Sequence, residues 1–247
     1  MPRQVKVCTK NFIPPAETSQ IMDLKFWRKK WLLTAVIITI ILVVTALFLT
    51  TVKFSYDSEN DAVLHYFSSQ QGMPDAFSAL ERLTPSDAVV LCWWDYGRAV
   101  KEWSRREVIE AYPSREIAQS VGATRSLLGN MGAQIFGKWG SHERIQDIAR
   151  AFMFNEEQSL QISKKYNASY VLVFVPDELE KFTWIAQIAD YDSTGYLTYN
   201  EENEEYEPTA RGEEVTLLRL IFDDVWQPRH FTKLYETDKA MIYKINY

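Results

Sequence analysis

Residues 93–97 read Trp-Trp-Asp-Tyr-Gly and follow directly on the apolar run Ala-Val-Val-Leu-Cys. These residue types could read a hydroxyl group. An indole offers one N–H donor and no acceptor, an ionised carboxylate only accepts, and a hydroxyl carries one proton and two lone pairs. The Trp93 and Trp94 indoles with the Asp95 carboxylate would together satisfy a buried hydroxyl. A ligand lacking it would leave those groups orphaned, at about 1–3 kcal/mol each. Such a site discriminates better than an apolar pocket can. Neighbours on a strand point to opposite faces, which assigns at least one of the tryptophans to the core. Packing and pocket both remain open at this point. Gly97 is expected to supply a tight turn that folds the segment back.

The elements that must position this segment alternate between helical and buried-strand patterns. Residues 74–83 read as a helix with Pro74 at its start, 87–91 as a buried strand, and 93–97 as the loop at its C-terminal end. A second short strand is expected at 106–112. The glycine-rich stretch 113–140 reads as a long loop with one helical turn around Arg115 to Val121. Ser141 and Asn155 are placed to cap helices over 141–152 and 155–166, the second with two acids in its first turn. A central strand over 168–175 is followed by a helix over 176–191, an acidic loop over 200–214, a short apolar helix over 216–222 and two terminal strands. Helices interleaved with buried strands predict one mixed α/β domain over 74–247.

Residues 31–52 contain no charge and are numerous enough to cross ~30 Å of hydrocarbon as a helix. Lys25, Arg28, Lys29 and Lys30 precede this run. The excess of basic residues on that side predicts a cytoplasmic tail over 1–30, a transmembrane helix over 31–52, and everything after it outside or in a lumen. Trp27 and Trp31 stand where interfacial aromatics belong. Residues 53–73 read as a polar juxtamembrane linker. Residues 1–52 hold seven Lys or Arg against two Asp or Glu, which leaves 20 against 31 in the remainder, a net −11. Nucleic acid is thereby excluded as the expected partner, because no basic face remains to neutralise phosphates. Cys8 and Cys92 fall on opposite sides of the membrane, which rules out a disulfide framework and a CxxC metal site. His65, His142 and His230 are scattered and show no ligand spacing. Neither a phosphate-binding glycine loop nor a Gly-x-Ser-x-Gly elbow is present.

The pentapeptide resembles the signature of the catalytic subunit of oligosaccharyltransferases, the membrane enzymes of asparagine-linked glycosylation. Residues 156–175 stand where that family carries a helix and a strand of the Asp-Tyr-Val-Leu-Val type, and the likeness spans roughly 74–247. It implies that Trp93, Trp94 and Asp95 bind the Ser/Thr hydroxyl at the +2 position of the acceptor sequon Asn-x-Ser/Thr, with Tyr96 and Gly97 shaping the turn. It also implies a second motif, commonly Asp-x-x-Lys-x-x-x-Met/Ile. Here that motif is Glu178, Lys181 and Ile185, spaced to share one helical stripe, with Ile185 expected at the Thr methyl. Glu178 departs from the usual Asp, and Asp177 is one residue out of register. In the family the catalytic carboxylates, a divalent Mg or Mn ion and the lipid-linked sugar site belong to a multi-pass membrane domain. The acids before the span, Glu17 and Asp23, are assigned to the opposite side. The resemblance therefore implies an acceptor-recognition domain with no catalytic residue and no cofactor of its own, partnered by a multi-pass catalytic subunit. The chain would then be one part of a split transferase or the separated C-terminal piece of a longer one. The alternative is a non-catalytic accessory or adaptor of the glycosylation or protein-export machinery. Asn167-Ala168-Ser169 is itself a sequon, which marks Asn167 as a possible glycosylation site.

Overall fold

The computed structural model describes residues 18–70, 72–120, 126–202 and 205–247, with side chains from Trp27 onward except at Ser120. Cys8, Glu17, the first part of the expected tail and the end of the helical turn at Val121 lie outside the described residues, as does the Asp23 side chain. The chain divides into two compact units, Met1–Val52 and Lys53–Tyr247.

In the first unit the described residues belong to α1 (Thr18–Ser69), a helix long and apolar enough to cross a membrane. Its run of Val, Ile and Thr is a poor helix former in water. In hydrocarbon the preference reverses, because every backbone polar group must be satisfied inside the segment. The hydroxyls of Thr34 and Thr39 fold back onto the carbonyls of Lys30 and Ala35, at 3.0 and 2.9 Å, so they present no free polar group. The polar stretch expected as a linker continues the same helix as far as Ser69.

The second unit continues with α2 (Met73–Leu83) and β1 (Val89–Leu91). A 3₁₀ turn, Trp94–Tyr96, then runs without a break into α3 (Gly97–Ala99) and one π turn, Val100–Ser104. Next come β2 (Glu107–Val108), α4 (Arg115–Ser120), α5 (Leu127–Phe136), α6 (His142–Met153), α7 (Glu156–Lys165) and β3 (Ala168–Phe174). They are followed by α8 (Val175–Glu180), α9 (Phe182–Ile188), β4 (Leu197–Asn200) and β5 (Glu205–Pro208). A 3₁₀ turn, Ala210–Glu214, leads to α10 (Thr216–Ile221), β6 (Phe231–Glu236) and β7 (Ala240–Ile245).

One five-stranded sheet, ordered β2-β1-β3-β7-β6, organises the unit. β1 pairs parallel with β2 and β3, whereas β3–β7 and β7–β6 are antiparallel. β3 is central, and all but one of its residues are buried, as a strand covered on both faces must be. The fold is the mixed α/β domain expected. Ser141 and Asn155 cap α6 and α7, accepting from the backbone N–H of Arg144 and Gln158.

Four local expectations are corrected. Residues 200–214 are not a loop: β4 and β5 form a hairpin, with Tyr199 against Tyr206 at 5.1 Å and Asn200 donating to Glu207. Acids on its exposed positions hide the strand signal. Residues 113–140 contain a second helix, α5, in which Gly129 lies against the Glu59 carboxylate, where a Cβ would collide. The helix over 176–191 is broken at Lys181 into α8 and α9. Residues 94–96 are a helical turn and not a loop.

Arg106 ties β2 to the C-terminal end of α2. Its buried guanidinium donates to Thr84 Oγ1 and to the carbonyls of Glu81, Thr84, Ser104 and Arg105. A cation here complements the negative end of the helix dipole and satisfies carbonyls the helix leaves unpaired. Arg106→Met is expected to lower stability by about 3 kcal/mol, because it strands those acceptors in the interior. A thermal melt should fall by roughly 6–12 °C.

Candidate functional site

β1 ends at Leu91 and delivers residues 92–96 to the C-terminal edge of the parallel strands, where open α/β sheets place their clefts. Trp93 is extended (φ −60°, ψ 137°) and only 3% exposed, so it is the core tryptophan. The 3₁₀ turn then rotates Trp94 and Asp95 into an open cleft of about 1410 Å³, also lined by Arg98, Tyr112, Met131 and Trp139. Tyr96 is wholly buried, its ring 4.7 Å from Phe174 and 5.5 Å from Phe67. Gly97 does not make a tight turn. It is right-handed helical (φ −55°, ψ −38°), and what it supplies is closeness. A Cβ there would overlap the Glu110 carbonyl and come within 2.7 Å of the Ala111 Cα, so the signature segment can lie directly on the chain after β2 only as glycine.

The second motif is arranged differently from the expected stripe. Because the helix breaks at Lys181, its ammonium reaches the Asp95 and Asp177 carboxylates, 2.5 Å from each, and sits 4.9 Å from the Tyr96 ring centre. Asp177 therefore holds Lys181, together with Asp95; Glu178 does not. Sequence register passed over Asp177, whose signal was the i, i+4 spacing Asp177–Lys181. Glu178 is fully buried and turned back, accepting from the Phe174 N–H at 2.7 Å, and Ile185 is fully buried as well. Of the eight expected acceptor residues, Trp94 and Asp95 line the cleft, and Lys181 orients Asp95. Trp93, Tyr96, Gly97, Glu178 and Ile185 pack behind them. Arg98, which also lines the cleft, was not singled out from sequence.

Four buried polar atoms on residues lining this cleft have no partner among the described residues, Glu59 Oε2 and Trp139 Nε1 among them, and the other two stand side by side in the signature. Trp94 Nε1 and Asp95 Oδ1 are buried and bonded to nothing, although Asp95 Oδ2 is engaged by Lys181. One is a donor and the other an acceptor, on adjacent residues. In a native interior nearly all such atoms are paired, so each costs about 1–3 kcal/mol until something bonds it. A hydroxyl is the smallest group that accepts from one and donates to the other.

The charges support the same arrangement. Burial pushes the Asp95 carboxyl up to about 6, although Lys181 pulls the other way. Burial opposes the charge on Lys181, but its two carboxylates outweigh that and hold it above the usual ammonium range. Burial, then the charge of Asp177, push Glu178 well above the carboxylate range. The folded-state pKa lies above the unfolded value, so ionising Asp95 costs stability. Stability should fall by about 3 kcal/mol as pH rises from about 4 to about 6, then level off. Ligand binding should run opposite: constant above pH 7 and weakening by up to about tenfold per unit below pH 6, as the acceptor oxygens protonate. Urea unfolding and peptide titration across pH 4–8 would measure both trends.

Among the described residues no three His, Cys, Asp or Glu side chains converge on a metal position. Cys92 is a free, buried thiol beneath the signature. Asn167 is exposed in a left-handed turn (φ 53°) ahead of β3, and Ser169 is half-buried in that strand.

No family model matches the chain. The subunit STT3B of dolichyl-diphosphooligosaccharide–protein glycosyltransferase from Oryza sativa subsp. japonica is 24% identical over 121 residues, covering 46% of this chain and 13% of that protein. The corresponding subunit stt3 from Schizosaccharomyces pombe is 23% identical over 184 residues, covering 68% of this chain and 20% of that protein. The chain is similar to oligosaccharyltransferase subunits. It spans about a fifth or less of the length of these two relatives. Among solved structures, the C-terminal globular domain of an oligosaccharyltransferase from Archaeoglobus fulgidus aligns with a TM-score of 0.46 at 19% identity, covering 72% of this chain and 98% of that domain. The sequence likeness to oligosaccharyltransferase subunits thus extends over 121 and 184 residues of the chain.

Proposed function

We propose that this chain is a membrane-anchored acceptor-recognition component of protein N-glycosylation, reading the Ser/Thr hydroxyl of Asn-x-Ser/Thr in exported polypeptides. The observation that carries this reading is the unpartnered donor–acceptor pair, Trp94 Nε1 and Asp95 Oδ1, in the wall of the cleft. The Trp94 N–H would donate to the hydroxyl oxygen, and the hydroxyl would donate to Asp95. Lys181, held by Asp177, keeps the other Asp95 oxygen occupied, so one acceptor is aimed at the ligand. Trp93, Tyr96, Gly97, Glu178 and Ile185 form the rigid backing that fixes this geometry.

The basic flank of the apolar run supports a cytoplasmic N-terminus and an exported second unit. Sugar transfer to an amide nitrogen needs charge stabilisation at the leaving phosphate and carboxylates on the amide. Following the oligosaccharyltransferase resemblance, we assign Mg or Mn and the transfer chemistry to a multi-pass catalytic subunit. The test is gentle detergent purification of the full-length chain from its native membranes, with mass spectrometry of what accompanies it. Recovery of a multi-pass protein, and sugar transfer to an Asn-x-Thr peptide that Trp94→Ala abolishes, is the expected result. A chain that emerges alone and inactive yet still binds Asn-x-Thr peptides would replace the split transferase with a non-catalytic adaptor.

A further inference from the structure

We infer that Asn167 carries an N-linked glycan, attached during export before β3 joins the sheet. The inference rests on the second unit being exported and not on the hydroxyl-reading proposal. Asn167-Ala168-Ser169 supplies an acceptor amide and a +2 hydroxyl. In the transfer step the Asn167 amide nitrogen gives up a proton and bonds C1 of a sugar carried on a lipid-linked phosphate. The C1–O bond to that phosphate breaks, and the phosphate leaves with its lipid, taking the bonding pair and, in the net reaction, the proton.

The folded turn accommodates such a group. Asn167 is exposed, and its side-chain amide forms no hydrogen bond among the described residues. Its left-handed backbone (φ 53°) is one that asparagine adopts more readily than most residues. It precedes the N-terminal end of β3, whereas the signature lies beyond the C-terminal end of the parallel neighbour β1. The length of β3, about 20 Å, separates the two ends, so a glycan here leaves the cleft clear. Tyr247, 56% exposed, donates its hydroxyl to the Ala168 carbonyl and sets an aromatic face beside the sequon, against which the first sugar ring would pack.

The same turn bars transfer to the finished domain. Ala168 is wholly buried, its carbonyl is taken by Tyr247, and Ser169 is half-buried in β3. An acceptor must present its amide and its +2 hydroxyl together, and Ser169 cannot leave the strand without opening the sheet. Chain order supplies the opportunity. β3 pairs with β7, Tyr170 standing opposite Lys244, more than 70 residues later in the chain. At about 5–20 residues per second, synthesis leaves the sequon without that partner for roughly 4–15 s.

The test is glycopeptide mass spectrometry on the full-length chain purified from its native membranes, with a flexible tail ending in Asn-Ala-Thr added after Tyr247. The Asn167 peptide should carry a sugar, and Ser169→Ala should lower the modified share more than about tenfold while the tail stays modified. A sugar on the tail with none on Asn167 overturns the inference and leaves the export of the second unit standing. No sugar on either overturns both. Asn167 modified as fully in Ser169→Ala as in the wild type also overturns it, because transfer would then not follow the sequon. The order of events is read separately. Full-length chain made in cells lacking lipid-linked sugar, then added folded to native membranes, should stay unmodified at Asn167, whereas a synthetic peptide of residues 164–172 is modified. Equal modification of the folded chain and the peptide contradicts attachment before β3 is in place.

Discussion

Trp94→Phe is expected to erase about tenfold of the preference for a hydroxyl-bearing acceptor, and Asp95→Ala about tenfold to a hundredfold. The first removes one neutral donor and keeps an aromatic of similar shape. The second removes a charged acceptor, whose hydrogen bonds are worth about 1.5–3 kcal/mol. The informative quantity is the ratio of affinities for Asn-x-Thr and the isosteric Asn-x-Val peptide. The wild type should show a large ratio, because the apolar ligand leaves Trp94 Nε1 and Asp95 Oδ1 as they stand now, buried and unbonded. Each variant should lower the ratio chiefly by losing affinity for the Thr peptide. Asp95→Asn carries a second signature: it should raise thermal stability at pH 7 while weakening binding, since ionised Asp95 is disfavoured by its burial. A residue kept for packing would not lose function and gain stability together.

Gly97→Ala is expected to be the most damaging single-methyl change in the signature. The added carbon meets backbone on both sides, the Glu110 carbonyl and the Ala111 Cα. Backbone cannot rotate out of the way as a flexible side chain can. Overpacking in ordinary cores costs about 1–3 kcal/mol, and this position should reach or exceed the upper end. Because α3 and the chain after β2 must separate to admit the methyl, the cleft wall moves with them. Loss of peptide binding is therefore expected even below the melting temperature, where circular dichroism still reports a folded chain.

The sequence made the fold class legible because the signals that define it are strong and local. The caps at Ser141 and Asn155, the largely apolar strand over 168–174 and the uncharged run over 31–52 each have one physical reading, and each is present as an element. The misreadings have causes. α5 was hidden by Gly129 and Gly132, which lower helix propensity, although Gly129 permits close approach of the Glu59 carboxylate. The hairpin over 197–208 was hidden by acids on its solvent face. At the site, the proposed hydroxyl-reading chemistry was suggested by residue types alone, whereas the Asp177–Lys181–Asp95 link was not. That link depends on a helix break at Lys181 and on a contact between residues 86 positions apart in sequence, which no periodicity encodes. For the same reason Glu178 and Ile185 were expected at the ligand, although both point into the core.

The central claim is that the cleft beside Trp94 reads a hydroxyl. The most direct measurement is calorimetric titration of the purified full-length chain at pH 7.5 with two peptides identical except for Thr or Val at the +2 position. Two orphaned groups at about 1–3 kcal/mol each predict that the Thr peptide binds at least thirtyfold more tightly. Equal affinity for the two peptides would contradict the account, because the unpartnered indole and carboxylate would then be indifferent to a group that can satisfy both.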